Sequence, residues 1–249
     1  MSDAYDQRHD IVDGSSRMLT AAIFDVDGVL LASPHERAWR EALAGFAETE
    51  RFTTAMYQSQ IAGKPRLDGA RSALEALGVN NAGRHAVAYA ERKQARLEEL
   101  MRTGGIEAFP DALRFIEAVA ALGWPVAAAS SSRNATEMMR SIRLGTGQSL
   151  LDIFRVNVSG REVKHGKPDP ELFLIAADEL GVSPTRCLVV EDAPAGIQAA
   201  RAGGMAALGV ARLGDADQLR TAGSHLVVET LDEIALVDLA QGRLKARTP

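Results

Sequence analysis

The chain carries one cysteine, Cys187, among its 249 residues. A single thiol excludes an internal disulfide and argues against a cysteine-based zinc site. It precedes Leu188-Val189-Val190 and reads as a small buried hydrophobe, in keeping with a reducing cytoplasm. Positive charge is also short: 28 Lys and Arg against 33 Asp and Glu leave a net −5. That balance argues against non-specific nucleic-acid binding, which needs clustered cations, but permits a local positive pocket for a small phosphate. No apolar run approaches the roughly 18 residues that cross a bilayer, so no membrane partner is expected. Residues 1–18 are polar, lack the apolar stretch of a secretory signal, and read as a flexible tail. There is no internal repeat and no low-complexity segment. Apolar residues make up 46% and charged residues 24%, the proportions of an ordinary globular protein, large enough here for one big domain or a core with a companion.

Residues 20–30, Thr-Ala-Ala-Ile-Phe-Asp-Val-Asp-Gly-Val-Leu, are the most informative stretch. A short apolar run reads as a buried strand. It ends in two carboxylates, Asp25 and Asp27, with Gly28 behind them. The carboxyl end of a parallel strand is where open α/β folds place their chemistry. Two acids there repel unless a positive charge lies between them, and a hard divalent cation is the simplest candidate. A carboxylate so placed can also attack phosphorus. Asp-Gly is equally a common turn pair, so the motif alone leaves both readings open.

The rest of the chain alternates. Residues 34–102 are rich in helix signals, with Trp39, Leu43 and Phe46 on one face, Leu74, Leu77 and Val79 closing a second helix at Gly78, and a longer helix over 82–101. Gly104-Gly105 breaks the pattern. Beyond it, helices are expected at 110–122, 133–144, 170–180 and 195–202, and strands at 125–129, 153–158, 186–190 and 205–210. Such alternation predicts a parallel sheet covered by helices. The first strand stands about 70 residues away from its fellows, which points to a helical insertion. The expected architecture is α/β, a Rossmann-like core over 19–32 and 106–249 with an all-helical cap over 33–105.

Three more segments fall at expected strand ends or just beyond them. Ser130-Ser131-Ser132-Arg133-Asn134 offers hydroxyls and amides that suit a phosphate, or a plain helix cap. Lys167-Pro168-Asp169-Pro170-Glu171 fixes the direction of Lys167, because proline holds its predecessor extended. Glu191-Asp192 ends another apolar run in two acids and, with Asp25 and Asp27, supplies oxygen ligands suited to magnesium.

The order of these four segments resembles the haloacid dehalogenase superfamily over nearly all of residues 20–230, in the branch of β-phosphoglucomutase and small sugar-phosphate phosphatases. The phrases Asp25-Val-Asp-Gly-Val-Leu30, His35-Glu-Arg-Ala-Trp39, Lys167-Pro-Asp-Pro-Glu171 and Glu191-Asp-Ala-Pro-Ala-Gly-Ile-Gln198 carry the resemblance. It implies that Asp25 is the nucleophile and Asp27 the general acid and base. It implies Mg2+ held by Asp25, the Asp27 carbonyl and Asp192, with Glu191 acting directly or through water. Ser130 and Lys167 would hold phosphoryl oxygens, with Ser131 and Asn134 beside them. Gly63-Lys64-Pro65-Arg66 resembles a cap loop whose arginine grips a distal phosphate, Lys93 a cap lysine facing substrate, and His35 a histidine near the cap hinge.

The chain also departs from that branch. After the first motif an acid and a small hydroxyl residue are usual, whereas Leu31-Ala32-Ser33-Pro34 stands here and the connection is about two residues shorter. Residues 145–151 form a longer stretch than in the mutase. The expected function is therefore a Mg2+-dependent phosphatase of a small phosphorylated metabolite, a monomer or weak homodimer, with a β-phosphoglucomutase-like isomerase as the alternative. A 2-haloacid dehalogenase is disfavoured by the intact Asp27, and a silent binding protein by the retained charges of all four motifs.

Overall fold

The structure is a computed structural model and describes residues 18–104 and 106–248. The expected tail up to residue 17, and Gly105 of the Gly104-Gly105 break, lie outside the described residues. In chain order the strands are β1 (Ala21–Phe24), β2 (Leu31–Ala32), β3 (Glu107–Ala108), β4 (Val126–Ala128), β5 (Val156–Asn157), β6 (Cys187–Glu191), β7 (Ala206–Val210) and β8 (Leu226–Val228). The helices are α1 (His35–Ala42), α2 (Thr54–Gln60), α3 (Arg66–Ala76), α4 (Ala82–Gly104), α5 (Pro110–Ala121), α6 (Ala135–Ser141), α7 (Glu171–Leu180), α8 (Pro194–Ala202), α9 (Ala216–Thr221) and α10 (Leu236–Leu239).

All four side chains of β1 are buried. An unbroken apolar run needs cover on both faces, which the middle of a parallel sheet provides. Six parallel strands run in the order β5-β4-β1-β6-β7-β8. Period-2 alternation sends Ala22 and Phe24 to one face, against Phe115 and Ile116 of α5 and Met138 of α6. Ala21 and Ile23 go to the other, against Phe173 and Ala176 of α7 and Ile197 of α8. The neighbours of β1 are β4 on one side and β6 on the other, so the connections diverge there. That divergence opens a crevice at the carboxyl ends of the strands.

The four helices α1–α4 bury an apolar core of their own, which includes Trp39, Leu43, Phe52, Leu74 and Tyr89. The Trp39 and Tyr89 rings lie 5.1 Å apart, and the Tyr89 hydroxyl donates to the Trp39 carbonyl at 2.8 Å. The chain leaves the sheet through β2 and returns through β3, which pair antiparallel as a two-stranded hinge. The expected parallel sheet with an inserted helical unit is the architecture observed.

Local boundaries differ from expectation for identifiable reasons. Helix α1 stops at Ala42, because Gly45 turns left-handed at φ +83°, so Phe46 lies beyond the helix. The helix expected over 133–144 shrinks to α6. Its first residues form a turn in which the Ser130 and Ser132 hydroxyls accept from the amides of Ser132 and Asn134. The strand expected over 153–158 is a 3-10 turn, Leu150–Ile153, capped reciprocally by Ser149 and Asp152, followed by the short β5. The hinge strands β2 and β3 are two residues each, too short to leave a period in the sequence.

Candidate active site

Strand pairing delivers the acids. The Asp25 amide donates to the Val190 carbonyl at 3.0 Å, and the Ala129 amide donates to the Phe24 carbonyl at 2.8 Å. The ladder therefore continues past β1 and sets Asp25 between the ends of β4 and β6. Ser130 follows the one strand, and Glu191-Asp192 closes the other.

Lys167 reaches this point from the loop before α7. Its Nζ lies 2.6 Å from Asp25 Oδ1 and 2.6 Å from Glu191 Oε1, and 4.6 Å from the centre of the Phe173 ring. The side chain is wholly buried. Burial alone would lower its pKa, but the Asp25 and Glu191 carboxylates more than reverse that and raise it. Glu191 Oε2 accepts from the amides of Asp192 (2.9 Å) and Ala193 (2.8 Å). Space for this carboxylate depends on Gly196, where a Cβ would fall 1.8 Å from Glu191 Oε1.

Burial pushes the Asp25 and Asp192 carboxyls above their ordinary range; Lys167 opposes the shift, while Glu191 adds to it at both groups and Asp25 adds to it at Asp192. Three clustered acids facing one ammonium leave excess negative charge that a cation would cancel. The donors fit a hard, partly hydrated divalent ion: the second oxygen of Asp25, the Asp192 carboxylate and the Asp27 main-chain carbonyl. The Asp192 carboxylate lies in the space of a missing side chain. Gly28, at φ +84°, would carry a Cβ 1.9 Å from Asp192 Oδ2. Among the described residues, no three or more His, Cys, Asp or Glu side chains are grouped to hold a metal by themselves, so the main-chain carbonyl and water are needed. Direct ligation by Glu191, one of the expected modes, does not fit. Both its oxygens are engaged by Lys167 and two amides, and its place is to hold Lys167.

Asp27 turns its side chain elsewhere. Its Oδ2 accepts from the Ser130 hydroxyl at 3.3 Å, and its buried Oδ1 has no hydrogen-bond partner among the described residues, although His35 Nε2 stands 3.4 Å away. His35 opens α1, and its Nδ1 accepts from Lys93 Nζ at 2.9 Å. Burial drives His35 down to about 4, with the Lys93 charge adding and Asp27 opposing, so the ring is neutral at physiological pH. Lys93 is itself pushed down to about 7 by burial and lies 5.0 Å from the centre of the Trp39 ring.

These groups face a cavity of about 460 Å³ between the helical unit and the strand ends. Asp25, Asp27, Asp192, Lys167, Ser130 and Lys93 all line it, and Arg66, the exposed first residue of α3, stands at its rim. Ser131 and Asn134 also line it, but their polar groups join the two parts of the fold. Ser131 Oγ donates to the Gly63 carbonyl at 2.9 Å, and Asn134 exchanges two hydrogen bonds with Gln94 of α4, at 3.1 and 3.3 Å. Gln94 and Arg212 were missed in the sequence. Gln94 stands beside Lys93, whereas Arg212 belongs to no motif. It donates to the Gly28 and Val29 carbonyls at 3.1 Å each, and so fixes the turn behind Asp27.

Residues 19–204 match the haloacid dehalogenase-like hydrolase family. The chain belongs to the haloacid dehalogenase-like hydrolases. As a member of that family it is 36% identical to a β-phosphoglucomutase of Mycobacterium tuberculosis, over 89% of this chain and 93% of that one. It is 34% identical to the fructose-1-phosphate phosphatase YqaB of Escherichia coli, over 76% of this chain and 94% of the relative. The solved β-phosphoglucomutase of Pyrococcus sp. strain ST 04 superposes with a TM-score of 0.70 at 31% identity, covering 90% of this chain and 99% of that one. This hydrolase-family chain is thus an enzyme of the phosphatase and phosphomutase type. Such enzymes generally use a divalent metal. No helix among the described residues is long and apolar enough to cross a membrane.

Proposed function

We propose that the enzyme is a Mg2+-dependent phosphatase of a small phosphorylated sugar that works through an aspartyl-phosphate on Asp25. The observation that carries this reading is the bridging of Asp25 and Glu191 by Lys167, with Asp27 facing the same cavity. One oxygen of the Asp25 carboxylate attacks phosphorus in line with the leaving oxygen while the other stays turned to the metal donors, and Lys167 steadies the carboxylate from beside it. The ester P–O bond breaks as the Asp25 O–P bond forms, and Asp27 gives its proton to the departing alkoxide. Water then attacks the same phosphorus and yields its proton to Asp27. The Asp25–phosphorus bond breaks and inorganic phosphate leaves. A bound Mg2+ supplies charge neutralisation to the transferring group. The Lys167 ammonium and the Ser130 hydroxyl add hydrogen bonds to its oxygens. The paired contacts of Ser131 and Asn134 with the helical unit favour a closed site from which bulk water is excluded. The division of the chain at residues 33 and 105 into cap and core belongs to the same reading.

A phosphomutase reading is supported by Arg66, which has no ion-pair partner among the described residues and stands where it would hold a second phosphate with its fork. The named β-phosphoglucomutase relatives point the same way. The two readings separate when β-glucose 1-phosphate is supplied with a trace of the 1,6-bisphosphate. Mg2+-dependent release of inorganic phosphate is expected. Isomerisation to the 6-phosphate without net release refutes the phosphatase assignment in favour of the mutase.

A further inference from the structure

A second cavity, of about 280 Å³, is bounded by the β2 hinge, α2 and the loop between β7 and α9. It shares Asp27, Tyr57 and Asp192 with the first. The carboxylate cluster is therefore reached from two directions. Among the described residues, Oε1 of Gln58, a wall residue of the second cavity 3% exposed, has no hydrogen-bond partner, and the carboxylate of Asp215, 8% exposed, has no side-chain partner. Asp215 precedes α9, yet its side chain makes no capping bond, so the helix end does not account for it. Its charge also contributes to the field at Asp192.

Arg212, the one cation on this wall among the described residues, is engaged by the Gly28 and Val29 carbonyls and by Asp111 at 3.1 Å. Glu36 is held by Arg40 and Thr54. The unpaired acceptors are thus all oxygen, and the wall is net negative. Phosphate is repelled by such a surface, while a hydrated divalent cation finds hard donors there. The β2 hinge provides the mouth, since Ala32 is exposed and lines the cavity with Ser33.

We propose that the second cavity is a loading vestibule for the divalent metal, in which a hydrated cation is drawn in by the net negative wall, Asp215 included, and reaches Asp192 without crossing the substrate cavity. The proposal rests on the metal-dependent reading given above. Its test measures Mn2+ affinity by electron paramagnetic resonance, and Mn2+ uptake and release by stopped flow against a metal-indicator dye, on the full chain. Absence of Mn2+ binding to the wild type would remove the metal reading itself. With binding established, Ala32→Phe narrows the mouth. Uptake and release should then slow by the same factor, about threefold or more, with Kd unchanged, because an obstructed path alters both directions equally. Asp215→Asn should slow uptake about threefold or more by removing the steering charge. In the wild type, release should continue with the first cavity saturated by inorganic phosphate. Unchanged rates in both variants overturn the vestibule, as does arrest of metal release by phosphate.

Discussion

Replacing Lys167 with Met removes one buried ammonium and keeps an unbranched stem against Phe173. At an effective dielectric near 20, a unit ion pair at the observed 2.6 Å is worth on the order of 6 kcal/mol. Two such pairs converge on Lys167, and the desolvation of three charges takes back most of that sum. What remains on deletion is the cost of two uncompensated buried carboxylates, about 3–5 kcal/mol. For a chain of this size that is a fall in Tm of roughly 6–20 °C. The loss depends on pH. Burial already raises the Asp25 carboxyl against the pull of Lys167, and without Lys167 it binds its proton more tightly still in the folded state. A group of that kind supports the fold below its unfolded pKa, and its support is lost as pH rises through the raised folded value. The metal-free variant should therefore lie closest to wild type near pH 5 and fall furthest behind near pH 8. Thermal unfolding followed by circular dichroism at both pH values, with chelator present, measures this. An equal deficit at the two pH values, or a variant more stable than wild type at pH 8, would refute the electrostatic account of the buried cluster.

Asp25→Asn should lower turnover by at least about three orders of magnitude while leaving Tm within a few degrees or raising it, since an amide is a poor nucleophile and one negative charge is relieved; quench-flow phosphate release and a melt read the two effects. Mg2+ at about 100 times its Kd should raise the wild-type Tm by roughly 5–10 °C at pH 8. The rise should be smaller near pH 5, where the raised Asp25 and Asp192 carboxyls hold protons that compete with metal, and scanning calorimetry at both pH values measures the difference. Lys93, held near 7 by burial, should make inhibition by sulfate weaken as pH rises through that value, and Lys93→Met should flatten the profile with about a tenfold loss at pH 6. Sulfate keeps its charge across this range, so a persisting pH dependence in the variant would assign the titration to another group. Arg212→Lys keeps the charge but not the three-way fork to Gly28, Val29 and Asp111. It should weaken Mn2+ binding by titration with little change in the KM measured at saturating metal.

Much of this site is legible in the sequence because its chemistry sits at strand ends. An apolar run that stops at an acid marks both a buried strand and the point where the chain leaves the sheet. Asp25, Asp27, Glu191 and Asp192 stand out by that rule, and Ser130 and Lys167 by the order of their segments. Residues that act through geometry alone leave no such mark. Gln94 and Asn134 are ordinary polar residues until α4 lies across the turn before α6. Arg212 is one basic residue among many until its guanidinium meets two carbonyls of the turn behind Asp27.

The amino-acid sequence by itself determined the sheet, the helical insertion and the four charged segments, because period, turn chemistry and strand-end acids are local properties of the chain. Only the tertiary structure decided the partners. It gave Glu191 to Lys167 and two backbone amides, set a neutral His35 between Lys93 and Asp27, and left Asp215 and Gln58 in the wall of a second cavity. Partnership across tens of residues depends on which strand ends lie side by side and how far one backbone can approach another, as at Gly28 and Gly196. Those quantities exist only once the chain has packed.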